Sequence, residues 1–165
     1  MIDSSQFGVL GSRFRVHFSL FTNSFPLADM VPQTSLYLGE LRCKSTHGPS
    51  KVELITDAPT DNLGRGESFS PTDLVVTALA TCKLTTMGIA AQRDGVSLNG
   101  TKVYAEKHMS TDAPRRIVKI IVKVDFTSGI PRDYRPMLER TARTCPVAKS
   151  IHPDINVDVT FSYPD

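Results

Sequence analysis

Between Ser70 and Gly95 the chain carries one segment that constrains everything around it. Ser70-Pro71-Thr72-Asp73 has the chemistry of a helix start. Ser70 suits the cap, Pro71 suits the first helical position, and Asp73, three residues after the cap, completes a capping box. Leu74 to Gln92 is then nearly all apolar or small, broken by Lys83 and by threonines, and Gly95 after Arg93-Asp94 is a natural stop. The spacing predicts a helix of about 23 residues, roughly 35 Å long. A helix apolar on all sides is buried on all sides. Ala78, Ala80, Gly88, Ala90 and Ala91 would also let another backbone come close. A single domain of 165 residues can scarcely surround such a helix, so a second copy of the chain is expected against it.

The flanking segments read as strands. Residues 34–45 and 51–57 are predicted as a hairpin around the turn chemistry of His47-Gly48-Pro49-Ser50. Residues 101–109 and 115–126 form a second pair, with Ile117, Ile120 or Ile121, Val122 and Val124 on the apolar face. Tyr134, Met137, Leu138, Thr141, Ala142 and Cys145 then recur at helical spacing, with Asp133 as the expected cap and Pro136 in the first turn. The chain closes on a clear alternation, Ile155, Val157, Val159, Phe161 and Tyr163. Strands, long helix, strands, helix, strand is an α+β order with antiparallel sheets, and no βαβ repeat is expected. Residues 1–33 differ in character and read as an N-terminal extension, with Met30 a candidate beginning and the domain proper at 34–165.

Composition excludes several classes. A net charge of +2 gives no footprint for nucleic acid. No unbroken apolar run reaches the roughly 18 residues of a membrane span, so no membrane partner is expected. Three cysteines and four scattered histidines, with no CxxC or HExxH, fit neither a secreted disulfide framework nor a zinc site. A cytoplasmic protein with working thiols is the expectation.

Two of those thiols have unlike settings. Cys82 lies about three turns into the long helix, beyond the reach of its N-terminal dipole, and burial alone would make it inert. To react it needs a cation from elsewhere, and Arg42, Arg65 and His47 are candidates. Cys145 precedes Pro146 and would cap a short helix, where unpaired backbone N–H groups lower a thiol's pKa. Cysteine is a poor cap, so its presence leans toward function. Cys43, in an alternating strand, reads as structural.

Ser-Pro-Thr-Asp-Leu-Val-Val-Thr-Ala-Leu-Ala-Thr-Cys at 70–82, followed by Thr-Cys-Pro-Val-Ala-Lys-Ser-Ile at 144–151 and the closing strand, resembles the OsmC/Ohr family of osmotically inducible and organic-hydroperoxide-resistance proteins. The resemblance spans roughly residues 34–164. It implies an intertwined homodimer with long central helices and a site near the subunit interface. It also implies Cys82 as the peroxidatic cysteine and Cys145 as the resolving one, with an organic hydroperoxide as substrate. The implied reductant is a lipoyl-based dithiol, and no metal or organic cofactor is required. Family members place a glutamate directly after the helix-start proline, paired with a catalytic arginine; here that position is Thr72. Asp73 and Glu67 are the substitute carboxylates, against the simpler readings of a capping box and a solvated loop charge, and the arginine is Arg42 or Arg65.

Two further functions compete with a cysteine-based hydroperoxide reductase. One is a non-enzymatic dimeric module that senses redox state or binds a small molecule, a reading the missing glutamate favours. The other is a Cys–His hydrolase drawing on His47, His108 or His152, none of which the sequence places beside Cys82.

Overall fold

A computed structural model describes residues 30–164. Most of the expected extension, residues 1–29, lies outside them. Of its last residues, Gln33 already belongs to the first strand, and the Pro32 carbonyl accepts a hydrogen bond from the Gly48 N–H at 2.9 Å.

The order is β1 (Gln33–Gly39), β2 (Arg42–His47), β3 (Glu53–Asp57), α1 (Pro71–Arg93), β4 (Lys102–Met109), β5 (Ile117–Asp125), α2 (Arg135–Arg143), α3 (Pro146–Ser150) and β6 (Asn156–Ser162). The fold is α+β, with two three-stranded sheets and one long helix. The strand expected over 34–45 is in fact two. Gly39, Glu40 and Leu41 all take positive φ, at 88°, 49° and 62°, and reverse the chain. Leu41 extends the apolar alternation of the segment, which hid the turn; Gly39 was its only signal. The first sheet is therefore the antiparallel meander β1-β2-β3.

The second sheet has the order β4-β5-β6 and is mixed. β4 and β5 are antiparallel, whereas β6 lies parallel to β5, with Val122 opposite Val159. The return through α2 and α3 allows this, because parallel neighbours need a crossover rather than a tight turn. A bulge shifts the β4–β5 register from His108↔Lys119 to Met109↔Ile117. The extra residue changes the phase of the alternation and turns Ile120, not Ile121, fully inward.

The helix start is as expected. The Ser70 side chain accepts from the Asp73 N–H, and the Asp73 carboxylate accepts from the Ser70 N–H at 2.8 Å. α1 buries one face: Val76, Leu79, Lys83, Met87 and Ala91. That stripe packs with Ile120, Val122, Val124, Leu138, Ala142 and Val159 into the core. The opposite stripe, Val75, Ala78, Thr85 and Ile89, is exposed in the single chain. By length and average hydropathy α1 would also pass for a membrane span, with a mean of 1.6 over its window, contrary to the reading from unbroken runs. Here it serves as the core helix of a folded domain.

The expected Asp133 cap of α2 does not form. Tyr134 occupies the cap position without a side-chain bond to the helix. Its hydroxyl instead donates to Asp94 Oδ2 at 2.8 Å and to the Ala90 carbonyl at 3.2 Å, fastening α2 to the end of α1.

Candidate active site

The fold brings Cys82 and Cys145 together. Cys82 lies on the flank of α1, half-buried against the core. Cys145 ends the connection from α2 and caps α3, buried to 1% exposure. Both are free thiols, and they stand close enough for Cys82 to act on Cys145. Cys145 faces the Ala148 N–H, though not in the geometry of a full capping bond. The expected lowering of its pKa is reversed. Burial pushes the Cys145 thiol up, more than the Ala148 N–H and the nearby Lys83 charge bring it down.

The sequence reading looked for a cation in the N-terminal third and missed the one beside the thiols. Lys83 is 1% exposed, and its Nζ donates to the Ala142 carbonyl at 2.7 Å, three residues before Cys145. Its charge acts on both thiols. The signal was present: one lysine in an otherwise apolar helix, immediately after Cys82. A lysine with no carboxylate partner is rarely buried without a reason.

The other candidates lie apart from the thiols. Arg42 Nη1 donates to Glu67 Oε2 at 2.8 Å. Arg65 pairs instead with Glu40. Asp73 is occupied by its capping box and by Lys107 Nζ at 2.5 Å. It stands nine residues before Cys82, about half a turn out of phase around the helix. Burial raises the Asp73 pKa, but hydrogen bonds from Lys107 and Ser70 outweigh it and hold the carboxyl below its ordinary value. Thr72, where the family pattern has glutamate, accepts from the same Lys107 at 2.7 Å.

Asp57 was also missed. It is 1% exposed, sits opposite Arg42 in the β2–β3 register, and accepts from the Glu67 N–H at 3.0 Å. That backbone bond is the largest cause holding its carboxyl below the ordinary value. Asp57 thereby anchors the loop that presents Glu67 to Arg42. Nothing in the strand pattern separates this aspartate from an ordinary strand-end residue.

Among the described residues, the histidines do not serve the thiols. His47 bonds Ser50 at 2.6 Å, His108 bonds Glu106 at 3.0 Å, and His152 lies 3.7 Å from Asp154. The Cys–His hydrolase loses its base. A cleft of about 690 Å³ opens between residues 66–69, the start of α1 and β4, lined by Glu67, Asp73 and Lys107 among others, but by neither thiol.

The family model described as OsmC-like protein matches residues 64–160, which include both cysteines, α1 and most of the second sheet. The chain belongs to the OsmC-like family. A Psychrobacter arcticus structure named for osmotic stress induction and a detoxification response is 43% identical, with a TM-score of 0.77 over 81% of this chain and 96% of that one. An organic hydroperoxide resistance protein from Legionella pneumophila is 16% identical, with a TM-score of 0.66 over 81% of this chain and 96% of that one. A second organic hydroperoxide resistance protein, from Elizabethkingia anophelis, is 14% identical, with a TM-score of 0.66 over 82% of this chain and 96% of that one. At those identities the last two speak for the OsmC-like fold alone. No curated protein matches.

Proposed function

We propose that this OsmC-like protein reduces organic hydroperoxides through Cys82 and Cys145. The observation that carries the reading is the meeting of the two thiols across α1 and the start of α3. Cys82 thiolate attacks the peroxide O–O bond, takes one oxygen as a sulfenic acid and releases the alcohol. Cys145 then attacks the Cys82 sulfur; the S–S bond forms, the S–O bond breaks and water leaves. An external dithiol, with a lipoyl group the first candidate, restores both thiols by exchange. Free cysteines suit a reducing compartment, and the cytoplasm is the proposed one.

The working form in this reading is a homodimer. The exposed residues Val75, Ala78, Thr85 and Ile89, with the half-buried Cys82 between them, repeat at three and four residues, the spacing of a helix seam. Cys82 lies on that seam. A partner helix laid along it would shelter the peroxidatic sulfur, and the partner's first sheet is the proposed source of the Arg42–Glu67 pair.

A second reading, a dimeric redox sensor with little turnover, draws support from Thr72 and from the lining of the 690 Å³ cleft, which includes neither Cys82 nor Cys145. Consumption of cumene hydroperoxide with dihydrolipoamide separates the two. Catalytic consumption lost in Cys82→Ser supports the enzyme. Oxidation of Cys82 once, without turnover, supports the sensor.

A further inference from the structure

The arginines of this chain fall into two sets. Arg42, Arg65, Arg93, Arg115 and Arg116 each pair with a carboxylate. Arg132, Arg135, Arg140 and Arg143, in or just before α2, pair with none among the described residues, and neither does Lys149 on α3. The acids of this stretch are Asp133 and Glu139, and Glu139 accepts from the Tyr163 hydroxyl at 3.3 Å. Arg135 lies over the Tyr163 ring at 4.4 Å and Arg143 over the Phe161 ring at 5.1 Å, so both guanidinium planes rest on aromatic faces instead of carboxylates. Arg132, Arg140, Arg143 and Lys149 are exposed. Arg140 and Arg143 share one face of α2, where like charges repel. The dipole at the end of α2 favours those two, but it opposes Arg132 and Arg135 at the start. Helix energetics therefore leave the set unexplained. Its place is distinctive: Arg140 and Arg143 precede Cys145 in the chain and Lys149 follows it, within one turn or two.

We propose that this basic face of α2 and α3 is a docking surface for an acidic protein that carries the reducing dithiol. The inference rests on the two-cysteine reading and names the kind of partner that restores the pair. A free dithiol meets the disulfide by diffusion alone. A dithiol carried beside acidic side chains is drawn toward Arg140, Arg143 and Lys149, which raises the rate of encounter. Cys82 is the more open of the two sulfurs, Cys145 being 1% exposed. One carrier thiolate attacks the Cys82 sulfur, the Cys82–Cys145 bond breaks, and Cys145 leaves as a thiolate that takes up a proton. The second carrier thiol loses its proton and attacks the carrier sulfur of the mixed disulfide, which frees Cys82. The carrier leaves as a disulfide, oxidised by two electrons, and the two cysteines of this chain are thiols again. An acidic protein is favoured over nucleic acid because the unpaired cations are grouped beside the thiols, whereas a chain of net charge +2 offers no basic track for a phosphate backbone to follow.

The test begins from the Cys82–Cys145 disulfide formed with diamide, so it runs whether or not the protein reduces hydroperoxides. The probes are three peptides carrying dihydrolipoyl-lysine between glutamates, between glutamines or between lysines, and the rate of disulfide reduction is read by acid quench and mass spectrometry. The glutamate peptide should reduce wild type about tenfold faster than the glutamine peptide at about 20 mM salt, and the lysine peptide should be the slowest. The advantage should shrink to about twofold or less by about 300 mM salt, as screening shortens the reach of surface charge. Arg140→Gln/Arg143→Gln should bring the glutamate peptide down to the rate of the glutamine peptide and leave the latter unchanged, which also shows that the variant is folded. Lys102→Gln/Lys123→Gln removes the same charge from exposed positions of the second sheet and should keep the wild-type preference. Equal rates for the glutamate and glutamine peptides on wild type would overturn the proposal, as would a preference that survives in the arginine variant or is lost equally in the lysine variant. Single-stranded DNA bound by wild type and not by the arginine variant, with no preference among the peptides, would overturn it in favour of nucleic acid. An arginine variant that dissociates the dimer in sedimentation would assign these cations to the subunit interface instead. A wild type that forms no Cys82–Cys145 disulfide with diamide would sink the two-cysteine reading itself; a disulfide that forms and shows no carrier preference sinks the docking surface alone.

Discussion

The two halves of this molecule are built on different terms. From Val76 onward, α1, the mixed sheet and α2 bury a continuous apolar core. The meander β1-β2-β3 buries no apolar side chain; its fully buried residues are Thr56 and Asp57. Leu36, Tyr37 and Leu38 on β1 and Val52 and Leu54 around β3 are exposed, Leu36 at 58%. Small sheets need a covered apolar face to be stable. The meander and the bare stripe of α1 are therefore two uncovered surfaces of one chain. The thiols stand beside one, and the Arg42–Glu67 pair belongs to the other. The difference teaches that the second half builds the apolar core of the described residues, while the first half leaves its apolar side chains uncovered within one chain.

Five changes break or sharpen that contrast. The largest effect is expected from Ala78→Glu, on the bare stripe one turn from Cys82. A charge on a truly exposed helix face would cost almost nothing; against a partner helix it should cost several kcal/mol and dissociate the dimer, read by sedimentation equilibrium. Next comes Leu138→Ala, fully buried in the second half, which should cost about 2–5 kcal/mol in denaturant unfolding whatever the assembly. Its counterpart Leu36→Ala should cost about 1–2 kcal/mol, and that cost should depend on protein concentration, if a second chain covers the meander. An uncovered Leu36 would lose no more than about 0.5 kcal/mol.

The helix start should respond to pH. The Asp73 carboxyl titrates below its ordinary 3.8 in the folded protein, so it contributes stability above that value, lost as pH falls through the lower folded value. Asp73→Asn should cost about 1 kcal/mol at neutral pH, through the cap and Lys107, and should flatten the loss of stability below about pH 4. The smallest effect on stability is expected at Arg42→Met. Its ion pair is largely solvated and worth about 0–1 kcal/mol, so a large fall in peroxide turnover with little change in melting would mark the residue as functional.

Much of this was legible in the sequence. The capping box at Ser70, the 23-residue helix and the closing alternation follow from local chemistry, and they appear where that chemistry puts them. The β1–β2 turn was hidden because Leu41 continues the apolar pattern while its backbone turns left-handed. The parallel placement of β6 depends on how α2 and α3 pack, which periodicity within a strand does not encode. At the site, the cysteine pair was readable, but the direction of the Cys145 shift was not. A cap position predicts a lowered pKa, and burial, a tertiary property, wins. Lys83 was visible as an interruption in an apolar helix, and its meaning came only when α2 laid the Ala142 carbonyl on its head.

The most direct test of the account is mass spectrometry of the intact protein after one equivalent of cumene hydroperoxide. The two-cysteine mechanism predicts the loss of two hydrogens, mapped to a Cys82–Cys145 disulfide, and a sulfenic acid on Cys82 that overoxidises with excess peroxide in Cys145→Ser. Cys43→Ser should behave as wild type. Oxidation landing on Cys43, or a Cys145→Ser protein that turns over as fast as wild type, would contradict it.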